Sequence, residues 1–144
     1  MNMAFKLNIS EKGKAWKIET ENEFLIGKSI GDTIDGKDIK AELEGYEMKI
    51  TGGTDSAGFS MSKNAEGIGL KRVLLKKGWG MHKKRKGLRL RKTVRGKIIS
   101  PVISQINISV IKAGKKPFTE IFPEQNKLEE KKQAEVKSVE ATAT

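Results

Sequence analysis

The sequence predicts a mostly β domain that carries a basic loop or arm, is completed by a closing strand, and ends in a short C-terminal tail, partly helical or disordered. Three observations point there. Apolar and polar residues alternate with a period of two in separate stretches, the pattern of half-buried strands. The intervening segments are rich in Gly, Asp, Ser and Asn, which favour turns over helix interiors. The cationic residues crowd into one glycine-broken segment, which suits an extended arm or loop better than a helix.

Taken in order, Phe5, Leu7 and Ile9 alternate with Lys6, Asn8 and Ser10. Glu11-Lys12-Gly13-Lys14 reads as a turn, and Ala15-Trp16-Lys17-Ile18-Glu19 resumes the alternation, so residues 4–20 form a hairpin. Phe24-Leu25-Ile26 is a short apolar run, and the Gly- and Asp-rich stretch from Gly27 to Gly36 is a tightly turning loop. Residues 37–44 make a helical turn or two. Tyr46, Met48 and Ile50 alternate again before Gly52-Gly53. Thr51 to Gly69 is a long loop, of the length that in compact domains is usually functional or mobile. Lys71-Arg72-Val73-Leu74-Leu75 is a strand leading into the basic arm. The clearest strand covers residues 102–112, with Ile106, Ile108 and Val110 on one face. Pro117 and Pro123 bracket Phe118 through Phe122; after Asn126 the composition turns to Glu, Lys and Ala. This divides the chain into a domain, residues 1–118 with the arm at 71–97, and a tail, 119–144, disordered from Lys137 onward.

The 144 residues include 29 Lys+Arg, 18 Asp+Glu, one His and no Cys, for a net charge of +11. The excess is local. Residues 71–97 hold 13 basic residues and no acidic one, whereas residues 1–70 sum to −3 and residues 98–144 to +1. Two like charges about 7 Å apart in water repel by roughly 0.6 kcal/mol, and many such pairs coexist here. Carboxylates from elsewhere in the fold relieve part of this; a polyanion relieves more, so nucleic acid is the expected partner. Without cysteine there is no disulfide framework and no thiolate chemistry. The longest apolar runs fall far short of the roughly 20 residues of a membrane span. The opening residues lack the features of a signal peptide, so a soluble intracellular protein is expected.

Catalytic motifs do not assemble. Gly27-Lys28-Ser29 has the end of a phosphate-binding P-loop, but Asn22 stands where its first Gly is required. Gly78-Trp79-Gly80 begins a dinucleotide fingerprint that fails at Lys83. Asp32, Asp35 and Asp38 could hold a cation, but in such a turn aspartates more often cap their own backbone amides. Binding chemistry is plentiful: Lys71, Arg72, Lys76, Lys77, Lys83, Lys84, Arg85, Lys86, Arg89, Arg91, Lys92, Arg95 and Lys97 offer point charges and bidentate forks to phosphates. His82 sits among them. Trp79 is either a platform for an unpaired base or a core residue, while Leu88 and Leu90 could anchor the arm. Structured RNA fits better than duplex DNA, since no helix-turn-helix or zinc finger is present.

The run Ile50-Thr51-Gly52-Gly53-Thr54-Asp55-Ser56-Ala57-Gly58-Phe59-Ser60-Met61 resembles the signature loop of the archaeal and eukaryotic family of small-subunit ribosomal protein six. Arg72-Val73-Leu74-Leu75, Gly78-Trp79-Gly80, Arg91-Lys92-Thr93-Val94-Arg95-Gly96 and the opening Phe5-Lys6-Leu7-Asn8-Ile9-Ser10 match it in order and spacing, over roughly residues 4–116. The resemblance implies a barrel-like β domain, non-enzymatic, bound to ribosomal RNA on the small (30S) subunit and supporting subunit assembly and translation. It implies that Gly52, Gly53, Asp55, Gly58 and Phe59 shape the signature loop, while Arg72 and the 83–95 arm meet RNA. The family usually has Pro where Ser60 stands, a departure that loosens the turn. The mixed-charge tail resembles archaeal members, so regulation by phosphorylation is not carried over. The expected partners are small-subunit ribosomal RNA and neighbouring ribosomal proteins, on a cytoplasmic ribosome. No cofactor, metal, membrane or small-molecule substrate is expected. A nucleoid-compacting DNA-binding protein is the alternative reading.

Overall fold

In the structure, a computed structural model, residues 4–125 are described. The expectations for residues 126–144 lie outside them. Seven strands occur among the described residues: Phe5–Glu11 (β1), Lys14–Thr20 (β2), Thr33–Asp35 (β3), Glu47–Asp55 (β4), Leu70–Leu75 (β5), Leu90–Arg95 (β6) and Ile103–Lys112 (β7). Five form one sheet in the order β2-β1-β7-β4-β3, and β5 and β6 pair as a separate two-stranded ribbon.

The first hairpin turns through Lys12 and Gly13, both at positive φ (47° and 79°), the geometry that matches the twist of flanking strands. β7 lies between β1, to which it is parallel, and β4, to which it is antiparallel. This register sets Ile9 and Ile50 on either side of Ile108, and Leu7 beside Ile106. The alternating apolar residues therefore meet on one face, which buries Phe5, Leu7, Ile9, Trp16, Met48, Ile50, Ile106 and Ile108. Short elements cover that face: a 3-10 turn at Glu23–Leu25, the helical turn Gly36–Ile39 (α1), a second 3-10 turn at Ala41–Leu43, and the helical turn Phe118–Ile121 (α2). They contribute Leu25, Ile39, Leu43 and Phe118, whose ring stacks on Trp16 with centroids 4.9 Å apart.

Three features differ from expectation. The sheet does not close into a barrel: β2 and β3 are its two edges, and the β5–β6 ribbon is not hydrogen-bonded between them. β3 has only three residues before the chain turns into α1, too few to carry a further ladder. At the other edge the Gln125 side chain bonds both the N–H and the C=O of Lys17, at 2.7 and 2.8 Å, occupying groups another strand would need. Second, β4 does not stop at Ile50 but continues through Gly52-Gly53 to Asp55, with a register shift between Ile50 and Gly52. Third, the basic arm is a β-hairpin, whose strands β5 and β6 frame a loop of residues 76–89.

Candidate nucleic-acid interface

The hairpin is fastened to the sheet through its base. The backbone N–H groups of Arg95, Gly96, Lys97 and Ile98 donate to the carbonyls of Ser60, Gly69, Ala65 and Gly67. The long loop after β4 is thus stitched to the end of β6. Gly96 is required at that seam, because a Cβ there would collide with the Gly67 carbonyl.

Asp55 is the hub of this junction. Its side chain is fully buried, with Oδ1 accepting from the Phe59 amide at 2.8 Å. Oδ2 accepts from Arg95 Nε at 3.1 Å and Nη2 at 2.8 Å. Burial opposes ionisation of this carboxyl, but the Arg95 guanidinium and the Phe59 and Ala57 amides outweigh it and hold the pKa below its ordinary value. Gly58, at φ 93°, allows the turn that brings Phe59 back to Asp55. The two glycines preceding Asp55 differ. A Cβ at Gly53 would lie 2.7 Å from the Gln105 carbonyl oxygen and 2.9 Å from Met61 Sδ, whereas one at Gly52 would meet nothing within 4 Å. Gly53→Ala is therefore expected to cost about 1–3 kcal/mol in urea unfolding, from forced overpacking against backbone. Gly52→Ala should change stability by less than about 0.5 kcal/mol. Equal losses at both positions would contradict this placement.

The thirteen cations of residues 71–97 fall into two groups. Arg95 is tied to Asp55, Lys97 pairs with Glu66 at 2.8 Å and lowers the pKa of that carboxyl, and Lys92 Nζ donates to the Gly80 carbonyl at 2.9 Å. The remaining ten, Lys71, Arg72, Lys76, Lys77, Lys83, Lys84, Arg85, Lys86, Arg89 and Arg91, are exposed. Between the two ends of the loop lies a cavity of about 500 Å³, lined by Lys76, Lys77, Lys84, Arg85, Lys86 and Arg89 together with Gly87 and Leu88. Among the described residues no carboxylate lines it. Such a concavity suits a bent phosphodiester backbone, on which several ammonium and guanidinium groups converge.

Trp79 is not core: it is 53% exposed, on a turn between Gly78 and Gly80. The buried residue of the loop is Met81, at 8%, with Leu88 and Leu90 half-buried. Sequence reading missed Met81 as an anchor; a lone apolar residue among cations was the available signal. His82 is exposed. In the Gly/Asp turn before β3, Asp32 Oδ2 accepts from the Ser29 amide at 2.8 Å, a local capping role. Among the described residues no His, Cys, Asp or Glu group is clustered to hold a metal ion, and no helix is long and apolar enough to cross a membrane.

The model of the family described as Ribosomal protein S6e matches residues 3–123. The chain belongs to that family. As an S6e-family member it is a ribosomal structural protein rather than an enzyme. It is similar to a protein of Methanococcus maripaludis named small ribosomal subunit protein eS6, with 50% identity over 118 residues, covering 81% of this chain and 94% of the relative. The proteins of the same name from Methanocaldococcus jannaschii and Archaeoglobus fulgidus are 49% and 47% identical. Those alignments cover 76% and 83% of this chain, and 82% and 96% of the relatives. In this S6e chain, the two motifs that carry the resemblance meet in space: Asp55 of the signature loop grips Arg95 of Arg91-Lys92-Thr93-Val94-Arg95-Gly96.

Proposed function

We propose that this chain is a structural constituent of the small ribosomal subunit, and that the β5–β6 hairpin binds ribosomal RNA by neutralising its phosphates. The observation that carries the reading is the cationic cavity between residues 76 and 89, with ten exposed cations on one hairpin of an otherwise near-neutral domain. The family and the names of its relatives supply the ribosomal context. The sheet and the Asp55 junction act as a rigid base, and the hairpin projects charge into RNA. The signature loop, with Gly52, Gly53, Gly58 and Phe59, serves as the brace of the hairpin. Residues 1–118 are the binding unit, with 119–144 as a tail that the Gln125 side chain ties to the β2 backbone at Lys17. Neighbouring ribosomal proteins complete its surroundings on the ribosome.

Salt-titrated binding to small-subunit ribosomal RNA fragments, with duplex DNA of equal length as competitor, tests this reading. Between about 50 and 200 mM salt, a purely electrostatic interaction with 6–10 phosphates loses about 10³–10⁵ in affinity. Binding that persists at the upper end and resists DNA is the expected result. Equal loss on both polymers would favour the nucleoid-compacting alternative.

A further inference from the structure

A second cavity, of about 370 Å³, opens beside Trp79 and shares no lining residue with the cationic one. Its inner side is formed by Met61 and Ser62, both buried, with Ile30 half-buried. Its outer side carries Thr51, Lys63 and Asn64, all exposed, and the half-exposed Trp79. The wall thus combines a large aromatic surface, an apolar interior, and hydroxyl, carboxamide and ammonium groups at the mouth. Phosphate needs none of that apolar surface. A flat heteroaromatic ring with hydrogen-bonding edges matches all of it.

The turn that bears the indole is held in place. Gly78 and Gly80 adopt φ 135° and 75°, the Met81 amide donates to the Gly78 carbonyl, and the Gly80 carbonyl is bonded by Lys92 from β6. On the other wall, Ser62 Oγ accepts from the Asn64 amide, and the Ser62 amide is tied to the Arg95 carbonyl. Both walls are therefore anchored to β6, and the slot is set against the basic hairpin that would track the adjoining phosphates.

We propose that this cavity is a slot for one unpaired nucleobase of the bound RNA, stacked on Trp79, with Thr51 and Asn64 meeting its polar edge. The inference rests on the RNA-binding reading above and adds an interaction that charge alone does not supply. Stacking of a base on an aromatic side chain does not depend on counterion release, so its loss lowers affinity without altering the salt slope.

The test compares Trp79→Ala, Trp79→Leu and Trp79→Phe in the salt titration on small-subunit ribosomal RNA, alongside the variant that replaces Lys83, Lys84, Arg85 and Lys86 with Ala. Trp79→Ala and Trp79→Leu are expected to bind about 5- to 100-fold more weakly at every salt concentration with an unchanged slope, and Trp79→Phe to recover most of the loss. Intrinsic tryptophan fluorescence should be quenched by RNA in the parent protein and not in Trp79→Phe, because the other tryptophan, Trp16, is buried. Leu matching Phe would reduce the role of Trp79 to apolar packing and overturn the slot. Unchanged affinity in Trp79→Ala, with the lysine and arginine variant still impaired, would also overturn it while leaving the RNA-binding reading standing. If the charge variant too were unimpaired, that reading itself would fall.

Discussion

Replacing Asp55 with Ala is expected to destabilise the domain by about 3–5 kcal/mol, the range for breaking a buried ion pair from one side. The substitution leaves the Arg95 guanidinium, whose side chain is only 13% exposed, without its counter-charge, and the Phe59 amide without its acceptor. Asp55→Asn keeps an oxygen for Phe59 and loses the charge, so a smaller loss of about 2 kcal/mol is expected. Urea unfolding at neutral pH measures both. The pair also fixes an acid dependence. Because interactions in the folded state hold the Asp55 pKa below its unfolded value, its stabilisation is complete above about pH 3.9 and is lost as pH falls through the lower folded value. Asp55→Asn should lack this component of the acid slope. A loss below about 1 kcal/mol for Asp55→Ala, or an identical acid slope in Asp55→Asn, would show that the junction is held by the backbone ladder alone.

Much of the main sheet was legible because its strands obey the period-two rule: Phe5, Leu7 and Ile9, Tyr46, Met48 and Ile50, and Ile106 and Ile108 are all buried. The second half of β4 was hidden because Gly52 and Gly53 have no side chains with which to display a period; the packing of Gly53 against Gln105 becomes visible only when β7 lies beside it. β6 was hidden for a different reason. Only Arg91 of its cations stands exposed, while Lys92 is held by the Gly80 carbonyl and Arg95 by Asp55, partners distant in sequence, so Arg91, Lys92 and Arg95 read as arm rather than as ladder. Closure of the sheet depends on edges that local sequence does not encode, which is why the barrel implied by the resemblance did not follow from the residues. The Asp55–Arg95 pair spans 40 positions and leaves no periodic trace. One signal was present: Asp55 is the sole carboxylate between Glu47 and Glu66, set among Gly, Ala, Phe and Met, and faces a chain segment of net +13.

Replacing Lys83, Lys84, Arg85 and Lys86 together with Ala should leave the fold intact and reduce the slope of log affinity against log salt by about 3–4, near 0.7–0.9 for each phosphate no longer neutralised. All four side chains are exposed, so no core packing changes, and relief of like-charge repulsion should make the free protein slightly more stable if anything. At about 0.1 M salt a slope change of that size corresponds to roughly 10³–10⁴ in affinity, closing toward parity near 1 M. Filter binding or anisotropy across a salt series reads both quantities. Unchanged affinity and slope would mean that the loop does not engage RNA electrostatically, whatever its charge. The position of each cation decides what its replacement reports. Arg95→Ala would unpair the buried Asp55 and lower stability at any salt, so weakened RNA binding in that variant would reflect a loosened hairpin. The four loop residues carry no such obligation to the fold; a salt-dependent loss confined to them therefore measures phosphate neutralisation itself.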